Sequence, residues 1–205
     1  MQSYFIEEII SILSKGGYVL IPIFVVAQIG WFFVIERLWA LRKLSCAQRR
    51  FWRDAPNTPE ELKIFVQHKG DKLPGLFGKL VKGVSNGVEQ GERTMINDVK
   101  LVLNEGASSM QRHMSTIAVM AGSAPLLGLL GTVSGMVATF QIITQYGTGN
   151  PAMMAEGISE ALLTTQAGLI VSFPLVLMHN TLLNRADTIE TECITGATRL
   201  INGLR

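Results

Sequence analysis

The chain has 205 residues, of which 48% are hydrophobic and 17% charged, with a mean hydropathy of +0.31, too apolar and too weakly charged for an average soluble domain. The apolar residues are concentrated: no Asp, Glu, Lys or Arg lies between Arg112 and Glu156, and between Glu160 and Arg185 only His179 can titrate. Stretches of that length can cross a hydrocarbon layer of roughly 30 Å, which takes about 20 residues, so an all-α integral membrane protein is expected.

Residues 1–17 open the chain with Phe5, Ile6, Ile9, Ile10 and Leu13 on one face and Glu7 and Glu8 away from it, the pattern of an amphipathic helix lying on the outer leaflet and ended by Gly16-Gly17. Residues 18–41 form the first span, uncharged from Tyr18 to Ile35 and closed by Trp31, Glu36-Arg37 and Trp39. A cleavable signal peptide needs a basic start and a small-residue cleavage site. Neither is present, so this segment is expected to stay.

Residues 42–112 read as a helical segment on the cytoplasmic side. From Glu36 to Arg112 there are 14 Lys/Arg against 9 Asp/Glu, a net +5, with Arg37, Arg42, Lys43, Arg49, Arg50 and Arg53 crowded at the end of the first span. Such a cluster sets orientation and suits anionic phospholipid; it requires no nucleic acid. Pro56, Pro59, Gly70, Pro74, Gly75 and Gly78 break the segment into short runs. From Glu92 to Met120 the apolar spacing Met95, Val99, Val102, Met110, Met114, Ile117 predicts one helix continuing into span two.

Span two with its extension covers 113–146, an uncharged turn covers 147–152, span three covers 153–184, and 185–205 extend it as a C-terminal cytoplasmic helix. The N-terminus then lies in the periplasm and the C-terminus in the cytoplasm. Cys46 and Cys193 fall on the reducing side, away from any second Cys or His cluster, and carry no assigned function.

In span two, Ala121, Ala124, Pro125, Gly128, Thr132, Gly135 and Thr139 share a face at about 100° per residue. Small residues such as Gly128 and the Gly131-xxx-Gly135 pair let helices approach closely, or line a cavity once copies assemble; the Thr132 hydroxyl suits a pore lining. Pro125, and Pro174 in span three, each remove a helical hydrogen bond and predict bends.

Counted from Pro151, Glu160 lies about 13 Å along span three, below the interface. A carboxylate there costs roughly 2.5–3.5 kcal/mol on insertion scales and marks an ion or proton site; a structural carboxylate at a subunit interface is the alternative. Glu156 sits one turn nearer the outside. A second stripe carries Ala161, Thr165, Gly168, Ser172 and His179, with Glu160 about 140° from Thr165. Two polar faces cannot both meet lipid, so a pore on one side and a neighbouring helix on the other, hence an oligomer, are expected. His179, near the cytoplasmic end, suits either a proton relay or a structural hydrogen bond. There is no P-loop, dinucleotide fingerprint, nucleophile elbow or metal-ligand spacing. Neither an enzyme nor a cofactor or metal is expected.

These residues resemble the MotA/TolQ/ExbB proton channel family. The likeness lies in Gly16-Gly17 through Arg37, in the APLLGLLGTVSGM string from Ala124 to Met136, in the GISEALLTT string from Gly157 to Thr165, and in Gly168-Leu169, Pro174 and Asn180. MotA-type stators have four spans, so three favour the ExbB/TolQ branch, within which the chain most resembles ExbB.

The resemblance implies a homopentamer in the bacterial inner membrane whose second and third spans line a pore. That pore would hold the single-span helices of an ExbD/TolR-type partner, which supplies the protonatable Asp, and a TonB- or TolA-type protein would carry the work outward. Thr132, Glu160 and Thr165 match positions of the family's proton pathway. Gln166 and Glu156 depart from the usual pattern. The alternatives are TolQ-type work on the envelope, a scaffold that conducts nothing, and a solute transporter, the last disfavoured by the lack of paired inverted repeats.

Overall fold

The computed structural model describes residues 17–54, 76–147 and 151–204. The amphipathic helix expected at the N-terminus and the breakers Pro56, Pro59, Gly70, Pro74 and Gly75 lie outside the described residues.

The described residues form five helices: α1 (Leu20–Asp54), α2 (Leu76–Gln90), α3 (Glu92–Gln111), α4 (Met114–Tyr146) and α5 (Pro151–Leu204). Three stretches, Leu20–Arg50, Arg93–Tyr146 and Pro151–Arg199, are long and apolar enough to cross a membrane. Helices are the form these sequences must take, because each pairs its own backbone groups where water is absent. The chain is an all-α membrane protein.

Two compact units divide the chain, one made of the residues up to Ile35 with His113–Asn180, the other of Glu36–Arg112 with Thr181–Arg205. In the first, the buried positions of α4 are Met114, Ile117, Ala121, Ala124, Gly128, Gly131, Gly135 and Thr139. These positions step by three or four residues, the rhythm that keeps one stripe of a helix against its neighbour. On α5 the buried stripe is Gly157, Ala161, Thr164, Gly168, Ser172 and Leu175. Val19, Leu20 and Ile23 pack against Leu127, Leu163, Ala167 and Val171. The outward faces, including Phe24, Phe32, Leu126, Leu129, Phe140 and Phe173, are exposed hydrocarbon, which suits lipid or further copies and not water.

In the second unit α2 and α3 form an antiparallel hairpin around Gly91, whose φ of 111° places it in a backbone region that favours glycine. Leu80, Val81 and Val84 are buried on α2, and Met95, Val99 and Val102 on α3. Lys79 and Glu105 form an exposed ion pair at 2.6 Å. Gly78, expected as a breaker, is a buried residue inside α2, because a lone glycine lowers helix propensity without ending a helix that tertiary packing holds. Arg37 is buried and donates from Nη1 to the Ser109 carbonyl at 3.1 Å.

The helix expected to run unbroken from Glu92 to Met120 is interrupted. α3 ends at Gln111, and His113 takes a left-handed conformation (φ 63°) before α4 starts at Met114. The His113 ring lies 4.8 Å from that of Phe33. Apolar periodicity survives such a break because the two turn residues, Arg112 and His113, leave Met110, Met114 and Ile117 at the 3–4 spacing, which is why sequence pattern gave no sign of it.

Candidate functional site

The contact between α4 and α5 is made of backbone. A Cβ on Gly168 would stand 2.6 Å from the Ala124 carbonyl oxygen, one on Gly135 2.8 Å from the Gly157 carbonyl oxygen, and one on Gly128 3.1 Å from the Thr165 Cα. A Cβ on Gly131 would collide with the Thr164 side chain. Glycine is needed at these positions for proximity, and the approach brings dispersion contacts that lipid tails cannot match in number.

Hydroxyl groups stitch the same seam. Ser172 Oγ donates to the Ala121 carbonyl at 2.7 Å. Thr165 Oγ1 lies 3.2 Å from the Gly128 carbonyl on α4 and 3.3 Å from the Ala161 carbonyl on its own helix. Thr164 and Thr139 bond back to Ala161 and Gly135 within their own helices, at 2.8 and 3.0 Å. Thr132 donates to Leu129 at 2.7 Å and remains partly exposed beside the seam.

Glu160 is partly buried on α5, nine residues into the helix and so about 13 Å along it. Its carboxylate rests against Gly17, the left-handed residue (φ 65°) that turns the chain into α1; a Cβ on Gly17 would collide with it. Next to it, the Tyr18 hydroxyl shares a hydrogen bond of 2.7 Å with Ser134 Oγ on α4.

The sequence-derived residues therefore separate into groups. Thr165 and Ser172 both reach α4, at Gly128 and Ala121, while Glu160 faces the Gly17 turn. Thr132 sits one turn along α4 from the Thr165 contact. His179 is partly exposed, 19 residues beyond Glu160 on the same helix, about 28 Å along its axis, so the two share no site. Gln166 and Glu156 are exposed on α5. Pro125 and Pro174 lie inside α4 and α5. The two polar faces thought to require a pore and a neighbouring subunit are met within one chain, by α4 and by the Gly17 turn. They do not by themselves require an oligomer.

Sequence reading missed Thr164, the most deeply buried hydroxyl of the seam at 1% exposure, and the Tyr18–Ser134 pair. Thr164 was legible in principle: it completes the 157-161-164-168-172 stripe, which a strict 100° projection replaces with Thr165. Nothing in the sequence pairs Tyr18 with Ser134.

In the second unit, Arg42 and Arg49 of α1 and Arg185 of α5 line a groove of about 480 Å³, shared with Glu192. The buried Gln48 donates from Nε2 to Glu192 at 2.8 Å. The groove presents three guanidinium groups and one carboxylate, a donor set suited to a phosphate or carboxylate.

Residues 78–194 match the model of the MotA/TolQ/ExbB proton channel family. This segment holds α3, α4, most of α5 and every hydroxyl of the seam. The chain belongs to that family. Among similar proteins are the ExbB biopolymer transport protein of Neisseria gonorrhoeae, 30% identical over 198 residues, covering 88% of this chain and 89% of the relative. The TolQ protein of the Tol-Pal system from Haemophilus influenzae is 25% identical over 181 residues, covering 80% and 77%. The ExbB1 biopolymer transport protein of Vibrio cholerae is 24% identical over 177 residues, covering 83% and 77%. Relatives named ExbB and TolQ place this MotA/TolQ/ExbB member in the ExbB/TolQ branch.

Proposed function

We propose that the chain is the channel-scaffold subunit of an ExbB-type inner-membrane motor, which turns the proton motive force into work for transport across the outer membrane, with no enzymatic turnover of its own. The observation that carries this reading is Glu160, a carboxylate set below the mouth of an apolar helix bundle and covered by a glycine turn. A group so costly to insert is retained where a proton or ion must be handled. Thr165 and Thr132 continue the polar route along the seam and its edge, and Ser172 and His179 lie further along α5.

In this reading several copies, five by family resemblance, pack their exposed apolar faces and enclose the helices of an ExbD/TolR-type partner, whose Asp exchanges protons with Glu160. A TonB- or TolA-type protein takes up the motion. The arginines beside α1 lie on the cytoplasmic side, which puts the N-terminus in the periplasm, and their groove receives anionic phospholipid headgroups. Each proton crossing 100 mV supplies about 2.3 kcal/mol, so several must pass per working stroke. The TolQ relative supports a second reading, in which the same subunit serves envelope integrity and division.

The test is proton flux into proteoliposomes holding the chain with its single-span partner. Glu160→Gln and Thr165→Ala are expected to assemble at normal yield and to lose most of the flux. Wild-type flux in both would overturn the assignment, and a wild-type complex that never dissipates an imposed pH difference would leave a non-conducting scaffold. Deletion of the gene separates the clients: loss of energy-dependent uptake supports the ExbB reading, and chaining cells with leaky envelopes the TolQ reading.

A further inference from the structure

Gly17, Tyr18 and Val19 form the turn that leads into α1, and this turn touches both of the other apolar helices. Gly17 lies against the Glu160 carboxylate of α5, closely enough that no side chain fits there. Tyr18 reaches the other way, to Ser134 of α4 at 2.7 Å. Val19 is buried and anchors the turn in the core formed with Leu163 and Ala167. Gly135, the neighbour of Ser134, packs on Gly157 and Ala161, so Ser134 and Glu160 stand at one level of the bundle. The turn therefore bridges α4 and α5 at the height of the carboxylate.

We propose that the Tyr18–Ser134 hydroxyl pair is a positioning clamp that holds the Gly17 turn over Glu160 and sets how readily protons and carboxyl-directed reagents reach that carboxylate. The inference rests on the reading of Glu160 as the proton-handling group. Its physical basis is a difference in strength between two attachments. The apolar attachment through Val19, Leu20 and Ile23 is buried and stays in place. The polar attachment is a single hydrogen bond from Tyr18, whose side chain is 70% accessible on the single chain, and one such bond of ordinary net strength opens and closes thermally. An exposed tyrosine at a membrane boundary also serves as an interfacial anchor through its ring; the clamp differs in needing the hydroxyl.

The experiment uses the full chain with its single-span partner in proteoliposomes and measures the rate at which dicyclohexylcarbodiimide modifies Glu160, located by peptide mass spectrometry, together with proton flux. Tyr18→Phe keeps the ring and removes the hydroxyl; Ser134→Ala removes the other half. Each is expected to raise the Glu160 modification rate by about fivefold, the population shift that one hydrogen bond of ordinary net strength produces. The double variant should rise no further, and Ser134→Thr should keep the wild-type rate. Unchanged modification in both single variants overturns the clamp, as does a double variant whose effects multiply. If Glu160→Gln conducts like wild type, the proton reading fails separately, while the modification rates still decide whether the clamp covers the carboxylate.

Discussion

The Ser172 hydroxyl of α5 donates to the Ala121 carbonyl of α4 at 2.7 Å, and that carbonyl is the one whose helical partner would be the N–H of residue 125. Because residue 125 is proline, the N–H does not exist, and the neighbouring helix supplies the missing donor. The proline in span two and the serine in span three are thus one structural unit, although 47 residues separate them in sequence.

Ser172→Ala should leave the Ala121 carbonyl unpaired in a dry seam and lower stability by about 1 kcal/mol, near the upper range measured for hydrogen bonds between membrane helices. Pro125→Ala restores the intrahelical donor. In the double variant the Ser172→Ala penalty should largely vanish, a coupling that a double-mutant cycle of thermal unfolding in detergent reads directly.

Gly131→Ala forces a methyl into the Thr164 side chain and should cost about 1–3 kcal/mol by overpacking. Gly122→Ala meets open space and should be neutral or stabilising by up to about 1 kcal/mol, since alanine is the better helix former. Unfolding midpoints of the two variants, compared side by side, check whether the α4–α5 seam or helix propensity governs these glycines.

Thr164 and Thr165 are adjacent but have different tasks. The Thr164 hydroxyl bonds within its own helix, to a carbonyl that keeps its backbone partner, so Thr164→Val should change stability by less than about 1 kcal/mol and leave proton flux intact. Thr165→Val removes the bond to Gly128 on the facing helix and should lose most of the flux. Equal effects on flux would show that position along the stripe, and not the hydroxyl, matters.

Cys46 is exposed and lines the arginine groove, while Cys193 is buried. A water-soluble maleimide should label Cys46 in the native complex and reach Cys193 only after denaturation, as thiol access dictates. Anionic phospholipid vesicles should slow Cys46 labelling relative to neutral ones if headgroups occupy the groove; equal rates in both count against that occupant.

Arg37 is buried, and its guanidinium reaches the Ser109 carbonyl at the end of α3. Arg37→Lys replaces a planar fork with a point charge on a different reach and should cost up to about 1.5–3 kcal/mol, the range for hydrogen bonds to charged groups, measured as a lowered unfolding midpoint.

Composition and charge spacing in the linear chain were enough to determine the membrane class and the three apolar helices, and the strings from Ala124 to Met136 and from Gly157 to Thr165 carried the resemblance to the family. Hydrocarbon allows few solutions for a backbone, so an uncharged run of sufficient length has little choice but to be a helix. The cost of one carboxylate in such a run singled out Glu160 before any coordinates, and the glycines at 128, 131 and 135 announced close packing for the same reason. What periodicity could not supply was phase and partner. A projection at 100° per residue selected Thr165 and Thr132 for the central stripe, whereas helices packed with a 3–4 rhythm bury Thr164 and Gly131 instead, because the facing helix and not the ideal helix sets the repeat.

Tertiary structure decided which group answers which: Ser172 the carbonyl freed by Pro125, Gly17 the carboxylate of Glu160, Tyr18 the hydroxyl of Ser134. Each pair joins residues tens to more than a hundred positions apart, where a local pattern carries no information about distance. It also decided that Arg112 and His113 break the helix leading into span two, a two-residue turn that leaves the apolar spacing on either side almost unchanged.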